Sequence, residues 1–253
     1  MQTVAPNTLF TGQQIVFLPE CASTNTSAQD LISKNKATEG CVVLAAAQSN
    51  GRGQRGNSWE SEPDKNITLS VILSPGFLPA SQQFYLNIAV SLAVLDLLQA
   101  HVPGPVFIKW PNDLYVQDKK IGGILIENSV AGYFLQHAIV GIGLNINQIS
   151  YQNERAVSLA GLTGKQYQLP RLVEQLLEHL EKRYLELRSG KQAKQKYEYL
   201  QHLYRYQVEH PYLVDGQVVY GQIVGIDEAG KLAVQIAGAM RYFDLKEIKF
   251  LFD

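Results

Sequence analysis

The sequence predicts a mixed α/β fold with a small antiparallel barrel at its C-terminal end. Three observations carry this expectation. Helical periodicities alternate with short apolar or β-branched runs up to about residue 207. Residues 41–48 are almost wholly apolar, the pattern of a strand buried on both faces. From about Val208 the pattern changes to short alternating strands parted by Asp215-Gly216, Asp227-Glu228-Ala229-Gly230 and Gly238.

The elements follow in order. Residues 15–18 read as a strand. Ser23 or Thr24 caps a helix reaching about Asn35, and Gly40 ends the connection to the strand at 41–48. Residues 49–66 are rich in Gly, Asn and Ser without periodicity, hence a long loop, and residues 67–73 form a strand. Residues 80–101 form a long helix with Phe84, Ile88, Leu92, Leu95 and Leu98 on one face. Strands follow at 106–110, 114–117, 121–128 and 134–146, with a hairpin turn at Asp118-Lys119-Lys120. Pro170 suits the first turn of a helix whose stripe is Leu172, Leu176, Leu180, Tyr184 and Leu187 and which Gly190 stops. A more polar helix spans 191–205, and a boundary near His210-Pro211 divides the chain into residues 1–208 and 209–253.

Composition narrows the function classes. The chain is 46% hydrophobic, so it is globular rather than disordered. Its 22 Lys+Arg against 23 Asp+Glu argue against a dedicated nucleic-acid binder. Cys21 and Cys41 do not make a disulfide framework and read as buried thiols. The N-terminal residues lack the pattern of a signal peptide. Apolar runs such as 42–47 fall far short of the ~20 residues a membrane span needs. A cytoplasmic protein is the expectation.

Four motifs carry chemistry. Gly51-Arg52-Gly53-Gln54-Arg55-Gly56, with Trp59 beyond it, offers exposed N–H groups, planar guanidinium forks and a flat indole. It has neither the Walker nor the dinucleotide-binding spacing. Lys109-Trp110-Pro111-Asn112-Asp113 is followed by Lys120-Ile121-Gly122-Gly123, which sets a carboxylate and two cations at strand ends. Lys109, among apolar neighbours, either snorkels or pairs with an anion. The paired glycines within a strand imply close approach of a ligand or another backbone. Gly141-Ile142-Gly143-Leu144-Asn145-Ile146-Asn147 lets a flat ligand lie on the backbone while Asn145 reads a base edge. Ser23-Thr24-Asn25 is a helix cap first, and also a polar anchor for a small neutral ligand. The five histidines are scattered, so no protein-bound metal is expected, although a nucleotide would bring Mg²⁺ with it.

In this order, Ser-Thr-Asn, Gln48 before GRGQRG and its tryptophan, KWPNDL, KKIGGILIE and GIGLNIN make the chain resemble the biotin protein ligases (biotin–[acetyl-CoA-carboxylase] ligases). The likeness is strong over residues 15–150, and the tail is similar to that family's SH3-like C-terminal domain. The resemblance implies a mainly antiparallel central sheet with flanking helices. It implies the monofunctional class, since no winged helix fits ahead of Ser23. It implies ATP-dependent formation of biotinyl-5'-AMP and transfer of biotin to a lysine of a carboxyl carrier protein, with ATP and biotin as substrates and Mg²⁺ accompanying the nucleotide. A homodimer would be in keeping with the family.

By motif, Ser23, Thr24, Asn25 and Gln48 would hold the biotin ureido ring. Arg52, Gly53 and Gln54 would close on the carboxylate and phosphate of the adenylate. Gly51, Arg55, Trp59, Asn112, Gly143 and Asn145 would form the nucleotide side. Lys120 would hold the biotin carboxylate and the developing phosphate charge, and Asp113 would engage the acceptor lysine. Lys120, Arg52 and Asp113 are thus the expected catalytic set. Gln54 departs from the GRGRRG of many members; either Arg55 carries the missing charge or Gln54 hydrogen-bonds without it. The alternatives are a lipoate–protein ligase or octanoyltransferase, which needs an apolar slot and no ureido anchor, and a non-catalytic biotin or nucleotide sensor.

Overall fold

The computed structural model describes residues 4–252; the side chain of Arg55 also lies outside the described residues. The first unit is built from β1 (Ile15–Cys21), α1 (Thr24–Ser33), β2 (Val42–Gln48), β3 (Ile67–Leu73), α2 (Phe84–Gln99), β4 (Val106–Lys109), β5 (Asp113–Val116), β6 (Lys119–Ala131), β7 (Phe134–Leu144), α3 (Leu159–Thr163), α4 (Leu169–Arg188) and α5 (Gln192–Gln201). The strands form one sheet in the order β1-β2-β3-β7-β6-β5-β4. Only β1 and β2 run parallel; every other neighbouring pair is antiparallel. A mixed, mainly antiparallel α/β fold is therefore what the chain adopts.

Period-two alternation sorts the side chains between the two faces. Val42 and Leu44 of β2, Leu69 and Val71 of β3, and Val140 and Ile142 of β7 join the main core with α2 and α4. Val43, Ile72 and Ile139 point the other way, against Ala28 of α1. Helix α2 packs on the sheet and is covered in turn by α4 and α5. It is thus buried nearly all round, with Ala89, Val90, Ala93 and Val94 inside as well as Ile88, Leu92, Leu95 and Leu98 of the expected stripe, while Phe84 is only partly buried. Arg183 fastens this layer, donating two hydrogen bonds to Asp96 of α2 at 2.7 and 2.8 Å.

Several expected boundaries move for local reasons. The expected 80–101 helix begins with a separate 3₁₀ turn at Ala80–Gln82. The hairpin expected at Asp118-Lys119-Lys120 turns one residue earlier, because Gln117 takes φ 53° and Lys119 and Lys120 already belong to β6. The expected 191–205 helix ends at Gln201, and Arg205 beyond it adopts φ 62°. Residues 145 and 146 fall outside β7: the Asn145 N–H still reaches the Ile121 carbonyl of β6, but that of Ile146 is taken by the Asn66 side chain. The short α3, capped by Ser158, has too few residues to show a period in sequence.

The tail folds as β8 (Glu209–Val214), β9 (Gln217–Ile226), β10 (Leu232–Ile236), β11 (Ala239–Phe243) and β12 (Ile248–Phe250), in the order β11-β10-β9-β8-β12. Hydrogen bonding leaves β11 and β12 as the two ends, so among the described residues the expected barrel is an open antiparallel sheet. It packs directly on the first unit. Trp110 Nε1 donates to the Gly230 carbonyl at 2.9 Å, and Arg205 Nη1 to that of Leu251 at 2.7 Å. Tyr115, Tyr204, Phe250 and Phe252 form one aromatic cluster across the junction. Both thiols are free, and burial raises the pKa of each. No described helix is long and apolar enough to cross a membrane.

The N-terminal segment is strapped to α4 by glutamates. Glu181 accepts the main-chain N–H groups of Leu9, Phe10 and Thr11 at 2.6, 2.9 and 2.9 Å. Burial alone would raise its pKa, but these donors outweigh burial and hold it below the ordinary value. A depressed folded-state pKa means the stabilisation is present above the unfolded value and is lost as pH falls through the folded one. Glu181→Ala is expected to cost about 2–3 kcal/mol in urea unfolding at pH 7, with the gap from the native chain closing below roughly pH 4.

Candidate active site

The face of the sheet turned away from the main core carries the chemistry, because its central side chains are small or polar. Registers align Ala45, Thr68, Gly143, Gly123 and Asp113 across five strands. The next row holds Val43, Ser70, Gly141 and Leu125. Side chains cannot be added here. A Cβ on Gly143 would come within 2.5 Å of the Trp59 ring, and one on Gly141 would run into the Asn25 amide. The result is a floored cavity of about 230 Å³, bounded by the start of α1, the 51–59 loop, the β4–β5 turn, β6 and the 245–246 turn.

At one end lies a hydrogen-bonded polar cluster. The Gln48 side-chain Oε1 accepts the Thr24 N–H at 2.8 Å. The Ser70 hydroxyl lies 2.8 Å from that of Thr24 and 2.6 Å from Asn25 Oδ1. Asn25 Nδ2 donates to Glu127 at 2.7 Å. Ser23, Thr24 and Asn25 are all buried, and the Ser23 side chain caps nothing. The capping role expected of this triplet is therefore absent, and its hydroxyls face the cavity.

At the other end stand the charges. Lys120 Nζ is 2.6 Å from Asp113 Oδ1 and 5.7 Å from the centre of the Trp59 ring. The Trp59 indole N–H is buried without a partner among the described residues. Arg52 Nη2 is 3.0 Å from Glu127 Oε2. The 51–59 loop is a narrow hairpin in which Gly53 donates to Asn57 at 2.7 Å and Trp59 to Gly51 at 2.9 Å. The turn carrying Asn112 and Asp113 is fixed from behind, since the Pro111 carbonyl accepts from Asn87 of α2 at 2.7 Å and Tyr199 of α5 at 3.0 Å. The Asn112 amide donates to the Ile124 carbonyl.

The cavity wall thus gathers Ser23, Thr24, Asn25, Gln48, Arg52, Gly53, Gln54, Trp59, Asn112, Asp113, Lys120 and Gly143. Gly51 lies in a neighbouring groove, and the Arg55 side chain falls outside the described residues. Asn145 does not line the cavity: its amide donates to the carbonyls of Lys120 and Val157 at 3.4 and 3.1 Å, pinning that loop to β6.

Sequence reading missed Thr68, Ser70 and Glu127. The alternation Ile67-Thr68-Leu69-Ser70-Val71 was the available signal, placing both hydroxyls on one face. Lys109 joins the wall with its ammonium 4.7 Å from the centre of the Phe250 ring. Burial lowers its pKa, Asp113 opposes that, and Lys120 and Arg205 add to it. Leu245 and Lys246 reach the site from the C-terminal sheet, a contribution that no local pattern reveals. Among the described residues, no group of three or more His, Cys, Asp or Glu side chains is placed to hold a metal.

Residues 18–145 match the model of the biotin/lipoate A/B protein ligase family. The chain is 31% identical to the biotin–[acetyl-CoA-carboxylase] ligase of Mycobacterium tuberculosis over 233 residues, 89% of this chain and 85% of that protein. It is 32% identical to the bifunctional ligase/repressor BirA of Bacillus spizizenii over 178 residues, 68% of this chain. That match spans only 54% of the Bacillus protein's length. The structure superposes on biotin protein ligase from Aquifex aeolicus in complex with biotin and ATP with a TM-score of 0.80 and 24% identity, covering 95% of this chain and all of that one. The chain belongs to the biotin/lipoate A/B protein ligase family.

Proposed function

We propose that this chain activates biotin with ATP to biotinyl-5'-AMP, releasing pyrophosphate, and transfers biotin to a lysine of a carboxyl carrier domain. One observation carries the reading. A single cavity joins a neutral hydroxyl-and-amide cluster at one end to Lys120, Asp113 and Arg52 under an indole at the other. A ureido ring needs neutral donors and acceptors. An adenylate needs cations and a flat surface. A lipoyl or octanoyl chain offers no donor or acceptor, so the hydrogen-bonding capacity that Thr24, Gln48 and Ser70 do not spend on one another would be desolvated, at a cost of about 1–3 kcal/mol per unpaired group.

The residues divide the work. Ser23, Thr24 and Gln48 hold the ring, with Asn25 bracing them. Arg52 and Lys120 neutralise the biotin carboxylate and the α-phosphate it attacks, and Gly53 and Gln54 close the loop over them. Gly51, Arg55, Trp59, Asn112 and Gly143 serve the nucleotide, whose Mg²⁺ neutralises phosphate charge. Asn145 supports this side by holding the 156–158 loop. Lys120 is balanced by Asp113 at 2.6 Å. When Lys120 turns to the anion, Asp113 is freed to accept a proton from the incoming lysine, which is mostly protonated at pH 7. We further propose that residues 1–208 are the catalytic unit and residues 209–253 an SH3-like unit that completes the nucleotide end, in a cytoplasmic enzyme that can act as a homodimer.

The test is the mass of a carboxyl-carrier domain after incubation with the protein, Mg-ATP and biotin, with lipoate in parallel. A gain of one biotinyl group with biotin only is expected; a gain with lipoate only would transfer the chain to the lipoate branch. Lys120→Ala is expected to slow biotin-dependent pyrophosphate release about 10²–10³-fold. Asp113→Ala is expected to slow transfer more than adenylate formation in single-turnover measurements, and equal losses would remove its proton-accepting role. The hairpin exposes Arg52, Gly56, Asn57 and Ser58, so biotin with ATP should protect it from limited proteolysis at least about tenfold.

A further inference from the structure

Glu127 sits where the two ends of the cavity meet, and nothing in the chemistry above requires it. It lies on β6 in register with Ile139 of β7, one row beyond Leu125 on the face that bears the site. Its Oε2 accepts two donors from different elements. Asn25 Nδ2 of α1 is at 2.7 Å and Arg52 Nη2 of the glycine-rich loop at 3.0 Å.

Each donor has a different onward reach. Asn25 passes the constraint to Ser70 at 2.6 Å, and Ser70 to Thr24 at 2.8 Å, so the neutral cluster is oriented from Glu127. Among the described residues Arg52 is held through Nη2 alone, which leaves the rest of its planar fork for an anion. Arg52 also lines both the cavity and a second groove outside the loop, whose wall includes Glu127. The Arg52–Glu127 pair is thus the partition between the two spaces.

We propose that Glu127 is a positioning residue for adenylation: one carboxylate oxygen sets the Asn25 brace at the ring end and aims the Arg52 fork at the phosphate end. This rests on the biotin-adenylating reading of the site. The two functions separate by substitution. Glu127→Gln keeps an oxygen for Asn25 and loses the charge that orients Arg52. Glu127→Ala loses both.

The experiment is steady-state biotin-dependent pyrophosphate release for the native chain, Glu127→Gln, Glu127→Ala, Arg52→Gln and the Arg52→Gln/Glu127→Gln double variant. For Glu127→Gln we expect kcat to fall about tenfold with the KM for biotin within about twofold. Glu127→Ala should in addition raise the KM for biotin about tenfold. In the Arg52→Gln background, Glu127→Gln should add less than about a twofold loss, because its effect runs through Arg52. Independent, multiplying losses in the double variant, or a KM effect of Glu127→Gln as large as its kcat effect, would overturn the inference and leave the ligase reading intact. An absence of biotin-dependent pyrophosphate release from the native chain would overturn both.

Discussion

The structure depends on the different composition of the two faces of its central sheet. One face is aliphatic and packs under α2, with Leu69, Val71, Val140 and Ile142 all buried. The other is cleared of bulk where Thr68, Gly143 and Gly123 stand side by side. Burying the first face supplies the stability that a cavity on the second would otherwise reduce. At roughly 25 cal/mol per Å² of apolar surface, each buried Leu or Ile contributes about 1.5–3 kcal/mol. Two glycines in one strand are then tolerable, because β3 and β6 fully pair β7 on both sides.

Precision at the charged end comes from behind the sheet and from far along the chain. The turn bearing Asn112 and Asp113 is reached by α2 through Asn87, by α5 through Tyr199 and by the C-terminal sheet through Gly230 and Trp110. These contacts span separations of 24, 88 and 120 residues. Asp113 therefore lies on a strand end whose backbone is held at several points, the arrangement a positioned carboxylate needs. Lys109 joins the two units through its contact with Phe250, so the C-terminal sheet and the site share a wall.

The strands of the sheet and the stripe of α4 were legible in the sequence because each rests on a local period. So were Ser23, Thr24, Asn25, Gln48, Arg52, Asn112, Asp113 and Lys120 of the cavity wall, which sit in short runs of unusual composition. What local pattern could not supply was partner choice. Asn145 has the chemistry to read a base edge, yet its amide is taken by two carbonyls of its own chain. Ser23 has the chemistry of a cap, yet it caps nothing. In both cases a short polar side chain had several possible uses, and tertiary geometry selected one. Glu127 was overlooked for the converse reason: a glutamate ending an apolar strand looks like a solvent-facing residue until Asn25 and Arg52, 102 and 75 residues away, arrive beside it.

Two cations of the site stand in ion pairs, Lys120 with Asp113 and Arg52 with Glu127. A bare cluster of cations would repel itself and destabilise the loop that carries Arg52. Pairing removes that cost, provided the pairs open cheaply when an anion arrives. The Arg52–Glu127 side chains are each 40% exposed and the Lys120–Asp113 side chains 29% and 24% exposed. An exposed pair such as Arg52–Glu127 is worth only about 0–1 kcal/mol, and Lys120–Asp113 keeps solvent contact on both side chains. In the proposed adenylation, an entering phosphate, bearing more charge and shielded by Trp59, would displace Asp113 from Lys120. Full burial of the same pairs would lock them, since separating charges in a dry interior is far more expensive. The partial exposure of the charged end thus suits the proposed adenylation, in which the hairpin loop above it would exclude water.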